Sequence, residues 1–599
     1  MDQKLHAMRH SAAHVLAAAI ARLYPQAQFG VGPVIDNGFY YDVRLDETLS
    51  DKDLESIQSE MEHLIQANLP MEREEWGLEQ AIEYFGQHNQ PYKVELLQDL
   101  QQHGTTKLKD FKTEDLGIDT NVEKITTVSV YKTGDFVDLC RGPHVDSTGE
   151  VRAIKLTRLA GAYWRGDEHR DQLQRVYGIA FADMAALEKY QEMLKLAQER
   201  DHRKLGQELD LFTFSDLIGP GLPLWTPRGT ILRNQLDKYV QEMRDEHGFE
   251  EVTIPHITKK EAYITSGHWD KFEDELFKIT SRDGHEFAMK PMNCPHHTQI
   301  FDSRPRSYRD MPIRYRETTM VYRDEQSGEL HGLARVRAIT QDDAHIFCRP
   351  RQVEEEVLKV WDIIERFWSS FGIVLKVRLS THNSKDMKNY LGTEDQWHGA
   401  EAQLKSVIEG KRVGYEMGEG DAAFYGPKID FMGSDALGRE FQASTIQLDF
   451  NMPERFKLSC TDETGSKETV VMIHCAITGS LERTIVLLLE HTGGVFPLWL
   501  SPEQVRVIPI SEKVDEYAKE VLQRLQQSGL RAKLDGSAES LGKRIRAAEV
   551  MKTPYTLVVG EREAADKLVA IRQYGAGDQG TMNLDEFVSK VHTEMTSRK

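Results

Sequence analysis

Residues 424–450 read FYGPKIDFMGSDALGREFQASTIQLDF, and the reading of this stretch decides the fold of the largest block of the chain. FYGPKIDF (424–431) and STIQLDF (444–450) are strand-like runs, as are KVRLS (376–380) before them and VVMIHCAI (470–477) after them. These strands do not alternate regularly with helices, which predicts an α+β arrangement on an antiparallel sheet over residues 207–501. From Glu503 the pattern changes. VRVIPI, EYAKEVLQRLQQ, RAKLD, LGKRIRAAEV and YTLVVG alternate strand and helix, which predicts a small α/β domain with a parallel sheet over 502–599. At the other end, MRHSAAHVLAAAIARLY has a helical period and VGPVIDNGFYYDVRL reads as a hairpin around Asp36-Asn37-Gly38, so residues 1–185 mix helix with short strands. Between them, FADMAALEKYQEMLKLAQERDHRKLG holds a charged helical period up to Gly206 and predicts a linker helix over 186–206.

With 599 residues the chain is too long for one core, and three or four domains are expected. There is no repeat of solenoid period and no low-complexity segment. No apolar run approaches the ~20 residues of a membrane span; TIVLLLEH is stopped by Glu490. HSAAHVLAAAI begins at His10, so no presequence is expected ahead of it. Five scattered cysteines give no disulfide framework and point to a reducing cytoplasm. The formal charge of −21 argues against a uniformly basic nucleic-acid coat. RDHRKLG (200–206), SRPRSYRDMPIRYRE (303–317) and GKRIRAAE (542–549) are basic islands, each of which alone reads as a solvated face.

Two sets of residues carry chemistry. In KPMNCPHHTQIF (290–301), Pro295 suits a first helical position and puts Cys294 at a helix start, with His296 and His297 just beyond. From this stretch alone, Cys294 is a buried thiol at a turn, part of a local metal clip, or one ligand of a site completed elsewhere. Near the N-terminus, His10 and His14 project from one helix face, and CRGPHV repeats the spacing with Cys140 and His144 on a turn made by Gly142-Pro143. Four such side chains suit zinc. They equally suit a metal-free hydrolytic pocket in which imidazoles and a thiol handle protons and position a water.

Three segments resemble motifs 1, 2 and 3 of the class II aminoacyl-tRNA synthetases: RGTILRNQLDKYVQEMRDEHGFEEVTIPHI (228–257), VYRDEQSGELHGLARVRAITQDDAHIF (321–347) and GSLERTIVLLLEH (479–491). Arg483 is oddly placed on physical grounds. It falls in the first turn of a helix opened by Gly479-Ser480, where a cation opposes the helix dipole by about 0.3–1 kcal/mol. A bound polyphosphate removes that conflict; an ion pair with Glu482 or another carboxylate is the alternative. MNCPHH, HGLARVR, TQDDAHIF, FYGPKIDF, STIQLDF and VMIHCAI, with HSAAH and CRGPHV ahead of them, narrow the resemblance to the threonyl-tRNA synthetase family over essentially the whole chain.

That resemblance implies a multidomain α+β protein: an N-terminal editing domain (1–185), a linker helix (186–206), an antiparallel-sheet catalytic core (207–501) and an α/β anticodon-binding domain (502–599). It implies one zinc per chain on Cys294, His345 and His474, with His296 and His297 outside the ligand set. It also implies threonine contacts at Asp343, Tyr425 and Gln447. For Mg2+-ATP it implies Arg323 on the α-phosphate and carboxylate, Glu325 near the adenine amino group, Arg335 and Arg483 at the triphosphate, and Gln442 on the nucleotide side. Arg323 and Arg483 are the catalytic cations. Serine offers the same amino and hydroxyl groups as threonine and lacks only a methyl, worth roughly 1–3 kcal/mol, so a second, hydrolytic site is required. The resemblance puts it at His10, His14, Lys93, Asp138, Cys140 and His144, without a catalytic metal. Weaker matches at Glu563 and Arg572 imply anticodon contacts. The implied partners are tRNA(Thr), ATP, threonine and a second copy of the chain joined through motif 1; the implied location is the cytoplasm, with no membrane contact. Two departures stand out. The chain begins without the small ubiquitin-like domain that many relatives carry, and Ile339 sits where relatives commonly stack a phenylalanine on adenine, which predicts weaker ATP binding. A prolyl or seryl synthetase lacks the HSAAH…CRGPH pair joined to Cys294, His345 and His474. A non-catalytic RNA-binding paralogue is the rival of another class, and it is expected to have lost one of the motif arginines or zinc ligands. A zinc hydrolase built on HSAAH leaves most of the chain without a purpose.

Overall fold

The computed structural model describes residues 3–103, 125–434, 438 and 440–598. The chain divides into two compact units, Met1–Leu194 and Lys195–Lys599.

In the first unit, helix α1 (Gln3–Leu23) is buried at every position from Ala7 to Ile20. A helix whose apolar residues run all round it belongs inside a core. It lies against strand β1 (Gly38–Arg44) and helix α2 (Asp51–Gln66), whose Ile57, Met61 and Leu64 close the same core. Val34–Ile35 pairs antiparallel with β1 across Asp36 and Asn37, and Asn37 takes the left-handed φ of 62° that this turn needs. Phe39, Tyr41 and Val43 alternate into the core from β1, as a period of two requires. A second antiparallel sheet follows, from β2 (Met71–Gly77), β3 (Thr127–Thr133) and β4 (Phe136–Leu139). Helices α3 (Leu78–Gln87) and α4 (Pro91–His103) share its apolar core through Phe85, Leu96 and Leu97. Strands β5 (Ile154–Tyr163) and β6 (Gln172–Ala180) return to the first sheet, β6 beside β1.

The stretch read as one linker helix is two: Met184–Glu199 and His202–Glu208. The break has a local cause. Asp201 stands as the N-cap of the second piece, its carboxylate accepting the Arg203 N–H at 2.8 Å, and Asp is among the best residues there. Gly206 lies inside that second helix and does not end it.

The second unit is built on an eight-stranded sheet. Its elements in chain order are helix α5 (Pro227–Glu246), strand Glu250–Glu251, helix α6 (Cys294–Asp302), strands β7 (Ile313–Tyr322) and β8 (Ala338–Cys348), helix α7 (Val353–Ser369), strand β9 (Lys376–Thr381), helix α8 (Glu394–Lys411), strands β10 (Tyr415–Glu419), β11 (Lys428–Ser434), β12 (Glu440–Asp449) and β13 (Val471–Ala476), and helix α9 (Leu481–Thr492). The spatial order is Glu250–Glu251, β7, β8, β13, β12, β11, β9, β10. Pairing is antiparallel from β7 through to β9, and only the two edge pairs are parallel. The antiparallel core expected from residues 424–450 is therefore present. Alternate residues Ala344, Ile346, Ile446, Ile473 and Cys475 share a core with Trp361, Ile364 and Trp368 of α7 and Ile485 and Leu488 of α9. On this side Arg244 of α5 is buried against Asp342, reaching its carbonyl at 2.7 Å and its carboxylate at 3.3 Å. That carboxylate also accepts the Ile477 and Thr478 N–H groups, fixing the turn from β13 toward α9. In the segment resembling motif 1, α5 is followed by a two-residue strand, Glu250–Glu251, paired with β7.

The C-terminal sheet joins β14 (Val505–Pro509), β15 (Ala532–Leu534) and β16 (Tyr555–Val559) in parallel. The expected parallel sheet is thus extended by an antiparallel pair, β17 (Leu568–Gln573) and β18 (Gly577–Asn583), which the strand–helix alternation had not reached. Of the basic islands, 303–317 is largely spent internally: Arg306 reaches the Phe301 carbonyl, Arg314 pairs with Glu356 and Arg316 with Asp245. Arg544 of the 542–549 island is likewise buried.

Candidate functional site

Register across the large sheet builds the first site. Tyr315 faces His345, His345 faces His474, His474 faces Gln447 and Gln447 faces Lys428, one row across five strands. Residues two apart share a face, so Asp343 and His345 project together while Asp342 and Ala344 point to the helix-covered core. Cys294, the first residue of α6, arrives over this row from outside the sheet, and ligand atoms of Cys294, His345 and His474 all lie within 4.8 Å of one another. All three are buried. His345 Nε2 and His474 Nδ1 approach to 3.0 Å, while the far nitrogens are engaged elsewhere: His345 Nδ1 with His297 Nδ1 at 2.7 Å and His474 Nε2 with Asp449 at 2.9 Å. Partners of this kind on the outer nitrogen orient a metal-binding imidazole and fix its tautomer. Burial, then His474, holds His345 well below the ordinary imidazole range, in the neutral form a ligand needs. Burial, then Asp343 and Asp449, pushes the Cys294 thiol well up. Only a cation between these groups makes a thiolate favourable there. The donor set and its outer partners fit a divalent metal. His296 is turned away, bonded to Thr258 Oγ1 at 2.5 Å, so the local clip does not form. Asp343 is held by Asn293 Nδ2 at 3.0 Å.

Beside the cluster lies a cavity of about 310 Å³ lined by Tyr425 and Gln447 at one end and by Arg323, Ile339, Gln442 and Arg483 along its length. The Tyr425 ring sits 5.0 Å from that of His474, and its hydroxyl donates to Gln447 Oε1 at 2.9 Å. Arg323 and Arg483 face this cavity, and among the described residues neither has a carboxylate at ion-pair distance. Arg323 Nε is buried without a partner. Burial, then the charge of Arg323, lowers the Arg483 pKa. The alternative pairing with Glu482 does not occur. That carboxylate turns inward to the Thr340 N–H at 2.8 Å and Ser480 Oγ at 3.0 Å. Arg483 Nε donates to the Ala334 carbonyl at 3.1 Å, and two guanidinium groups without a carboxylate partner in one cavity suit a polyanion. Glu325 and Arg335 are not in the lining; they pair with each other at 2.6 Å, and Arg335 also meets Glu329 at 2.9 Å. Ile339 lies directly across from Val321, an aliphatic pair on the cavity wall.

The sequence reading missed three residues of this site. Lys428 lines the cavity, paired with Asp430 at 2.7 Å and 3.4 Å from Gln442 Oε1. Gln341 lines it as well, its Oε1 buried without a partner. His268 is fully buried, its Nδ1 on Ser266 at 2.8 Å, its ring 5.9 Å from that of Tyr425 and its Nε2 unpartnered. Strand parity could have found the first two. His268 had no spacing partner to reveal it.

The first unit holds the second cluster. His10, His14, Cys140 and His144 also bring ligand atoms within 4.8 Å of one another. Cys140 Sγ lies 3.3 Å from both His10 Nε2 and His144 Nε2, and His144 Nδ1 meets Ser11 Oγ at 3.0 Å. Asp138 Oδ2 is 3.6 Å from His14 Nε2 and accepts the Tyr41 hydroxyl at 2.5 Å; its Oδ1 pairs with Lys93 at 2.5 Å. Lys93 also donates to Tyr41 at 3.0 Å, a buried phenol that the sequence reading had not singled out. Burial lowers all three histidines, His10 to about 4, and pushes Cys140 up to about 12. Near neutral pH these imidazoles are uncharged bases and the thiol is not a nucleophile. His10, His14, Tyr41, Lys93, Asp138 and Cys140 line a cavity of about 30 Å³, room for a water; His144 stands behind Cys140 and does not line it.

In the C-terminal sheet, the Glu563 carboxylate caps its own helix by accepting the Gly560 N–H at 2.9 Å. Arg572 keeps a buried Nε without a hydrogen-bond partner and lies 4.0 Å from Glu549. The structure does not bring Glu563 and Arg572 into any common hydrogen bond or ion pair.

Three family models match the chain: "tRNA synthetase class II core domain (G, H, P, S and T)" over 277–492, "Anticodon binding domain" over 504–594, and "Threonyl and Alanyl tRNA synthetase second additional domain" over 128–177. The threonine–tRNA ligase of Porphyromonas gingivalis is 45% identical over 595 residues, which is 98% of this chain and 88% of that protein. That of Clostridium tetani is 44% identical over 591 residues, 99% and 88%. Among solved structures, the RNA binding domain of threonyl-tRNA synthetase from Cryptosporidium parvum is 41% identical with a TM-score of 0.63, covering 66% of this chain and 98% of that one. The structure described as "putative threonyl-tRNA synthetase ThrRS-1" from Aeropyrum pernix is 29% identical with a TM-score of 0.58, covering 67% and 96%.

Proposed function

The chain belongs to the threonine–tRNA ligase family of class II aminoacyl-tRNA synthetases, and from that premise we propose how its residues divide the work. It joins threonine to its tRNA at the expense of Mg2+-ATP and hydrolyses tRNA mischarged with serine. The observation that carries the residue assignments is the pair of carboxylate-free guanidinium groups, Arg323 and Arg483, in a cavity that ends beside the Cys294–His345–His474 cluster.

Cys294, His345 and His474 hold one zinc ion per chain. A zinc ion held by these three residues would supply Lewis-acid ligation for threonine's amino and hydroxyl groups, a match that valine, lacking the hydroxyl, could not make. Asp343 faces the amino group, and Tyr425 and Gln447 close the pocket around the side chain. The threonine carboxylate oxygen attacks the α-phosphorus in line, and the bond to the pyrophosphate oxygen breaks. Arg323 holds the α-phosphate and the attacking carboxylate, and Arg483 the triphosphate end, neutralising charge as it moves to pyrophosphate. Gln442 contacts the nucleotide. Glu325 takes the adenine amino group and Arg335 the triphosphate, which requires their ion pair to open. Residues 1–185 form the editing domain, where His10 and Lys93 organise the attacking water and the leaving ribose hydroxyl, with His14 and Asp138 behind them and Cys140 and His144 shaping the pocket. The water-sized cavity lined by His10, Lys93 and Asp138 supports a positioned water as the attacking group. Residues 186–206 link this domain to the catalytic core at 207–501. Residues 502–599 bind the anticodon, with Glu563 and Arg572 as contacts. Two copies pair through motif 1, α5 included, and the enzyme works in the cytoplasm.

Amino-acid-dependent pyrophosphate exchange tests the assignment. Threonine supports exchange; robust exchange with proline or alanine in its place overturns it. Purified protein carries near-stoichiometric zinc, and Cys294→Ser loses most of it. Unchanged zinc in that variant moves the metal to another cluster.

A further inference from the structure

A third group of metal-ligand side chains lies on the second unit, apart from the Cys294 cluster and the substrate cavity. Helix α8 begins at a capping box in which Thr393 accepts the Gln396 N–H, and its exposed face presents Glu394 and His398 one turn apart, with Glu401 one turn further. His382, just past the end of β9, meets this face. Ligand atoms of His382, Glu394 and His398 lie within 4.8 Å of one another.

His382 is oriented as a ligand. It is buried, and its Nδ1 bonds to Glu401 Oε1 at 2.7 Å, the same oxygen that accepts its backbone N–H at 2.9 Å. A carboxylate on Nδ1 leaves the lone pair on Nε2 and raises its basicity, the arrangement that supports metal-bound histidines. Nε2 is met by the Ser384 hydroxyl at 3.2 Å, a donor that a half-turn of one side chain removes. The His398 ring stands 5.4 Å from that of His382, with Nε2 at 3.8 Å from Glu394 Oε1 and Nδ1 at 3.8 Å from Glu401 Oε2. These carboxylates are too far for hydrogen bonds and near enough for charge.

We propose that His382, Glu394 and His398 form a second metal site for a borderline first-row divalent ion such as Zn2+, Ni2+ or Co2+, with Glu401 orienting His382 from behind. Two imidazoles and one carboxylate suit these ions and leave a position for water, whereas Mg2+ and Ca2+ want oxygen ligands throughout. The ion pins the start of α8 to the end of β9. The adjacent Thr381 carbonyl receives the Gly420 and Ala422 N–H groups, so the segment held there continues into Asp421 and Ala423 on the wall of the substrate cavity.

The test uses the full-length zinc-loaded protein and a titration with Co2+ and then Zn2+, followed by calorimetry, melting temperature and the cobalt spectrum. The proposal expects a second, exchangeable equivalent that raises the melting temperature and shows cobalt d–d bands without a thiolate charge-transfer band. That equivalent disappears in His398→Ala and in the Glu394→Ala/His398→Ala pair, both exposed changes that leave threonine-dependent exchange intact. Glu401→Gln binds it about 10- to 100-fold more weakly. Cys294→Ser retains it, which separates this site from the proposed catalytic zinc. Binding of no second equivalent, or its persistence in the double variant, overturns the site.

Discussion

The two units bury nearly the same donors, cysteine and histidine, in compact clusters, and the surroundings make them different sites. In the second unit, His474 leans on Asp449 and His345 on His297, and beside them opens a cavity with two arginines that pair with no carboxylate among the described residues. In the first, Cys140 is shared between His10 and His144, the nearest carboxylate is already taken by Lys93 and Tyr41, and His14 Nδ1 has no partner at all. A donor list alone is therefore a poor guide to metal. What distinguishes the sites is the neighbourhood: His345 and His474 each have an imidazole or carboxylate partner on the outer nitrogen, whereas the Asp138 carboxylate beside His14 is engaged by Lys93 and Tyr41. On the proposed reading, the second unit's cluster holds a cation next to a polyanion, and the first unit's holds a water among neutral bases.

The sharpest way to break this contrast is to remove a base from the first cluster. His10→Ala should lower deacylation of pre-formed Ser-tRNA(Thr) by about 10²- to 10⁴-fold. The wild-type activity should persist in chelator. Loss on chelation with rescue by zinc would make both clusters metal sites and end the comparison. The matching change in the second unit is Arg323→Ala. Threonine-dependent exchange should fall by at least about 10²- to 10³-fold with the fold intact by circular dichroism, since one charge-stabilising donor is commonly worth that much. Deacylation should stay at its wild-type rate. A drop in both activities together would mean that the residue acts through stability.

Acid sharpens the comparison on a smaller scale. His10 titrates near 4 in the fold, and His14 and His144 are also held below the value of about 6.5 that an unfolded histidine shows. A depressed imidazole contributes its full stability above 6.5 and loses it as pH falls, because the unfolded chain takes up protons that the folded site refuses. Each such histidine should cost about 1.4 kcal/mol per pH unit between 6.5 and its folded pKa. Urea midpoints of the first unit's signals, followed from pH 7 to 5, should fall in wild type and fall less in His10→Gln. Equal slopes would show that His10 is not held neutral. The smallest effect is at the cavity wall. Ile339→Phe should lower the KM for ATP by about 2- to 10-fold, the range of an added aromatic stacking contact of about 0.5–1.5 kcal/mol. An unchanged KM would mean that adenine does not lie against that wall.

The sequence by itself determined whatever depends on neighbours a few residues apart. The strand-like runs FYGPKIDF and STIQLDF, not alternating regularly with helices, foretold an antiparallel core, and the residue spacing put His10 and His14 on one helix face. Pro295 read as the first helical residue placed Cys294 at the helix start; the helix begins one residue earlier, at Cys294, with Asn293 at the cap. Local reading failed where a local signal was overridden or cut short: Asp201 capped a new helix within an unbroken charged period, and the last two strands turned antiparallel after the alternation ended. The motifs named Cys294, His345 and His474 only through likeness to a family; nothing in their spacing joins His345 to a partner 129 positions away. Tertiary structure decided that, through register. His345 lies opposite His474 because β8 and β13 pair as they do, and a slip of one residue would turn every side chain of the row to the other face. It decided the charges as well, because a pKa follows from burial and from groups brought near by long-range packing. Periodicity is written in contacts along the chain, whereas register and burial exist only once distant segments have packed.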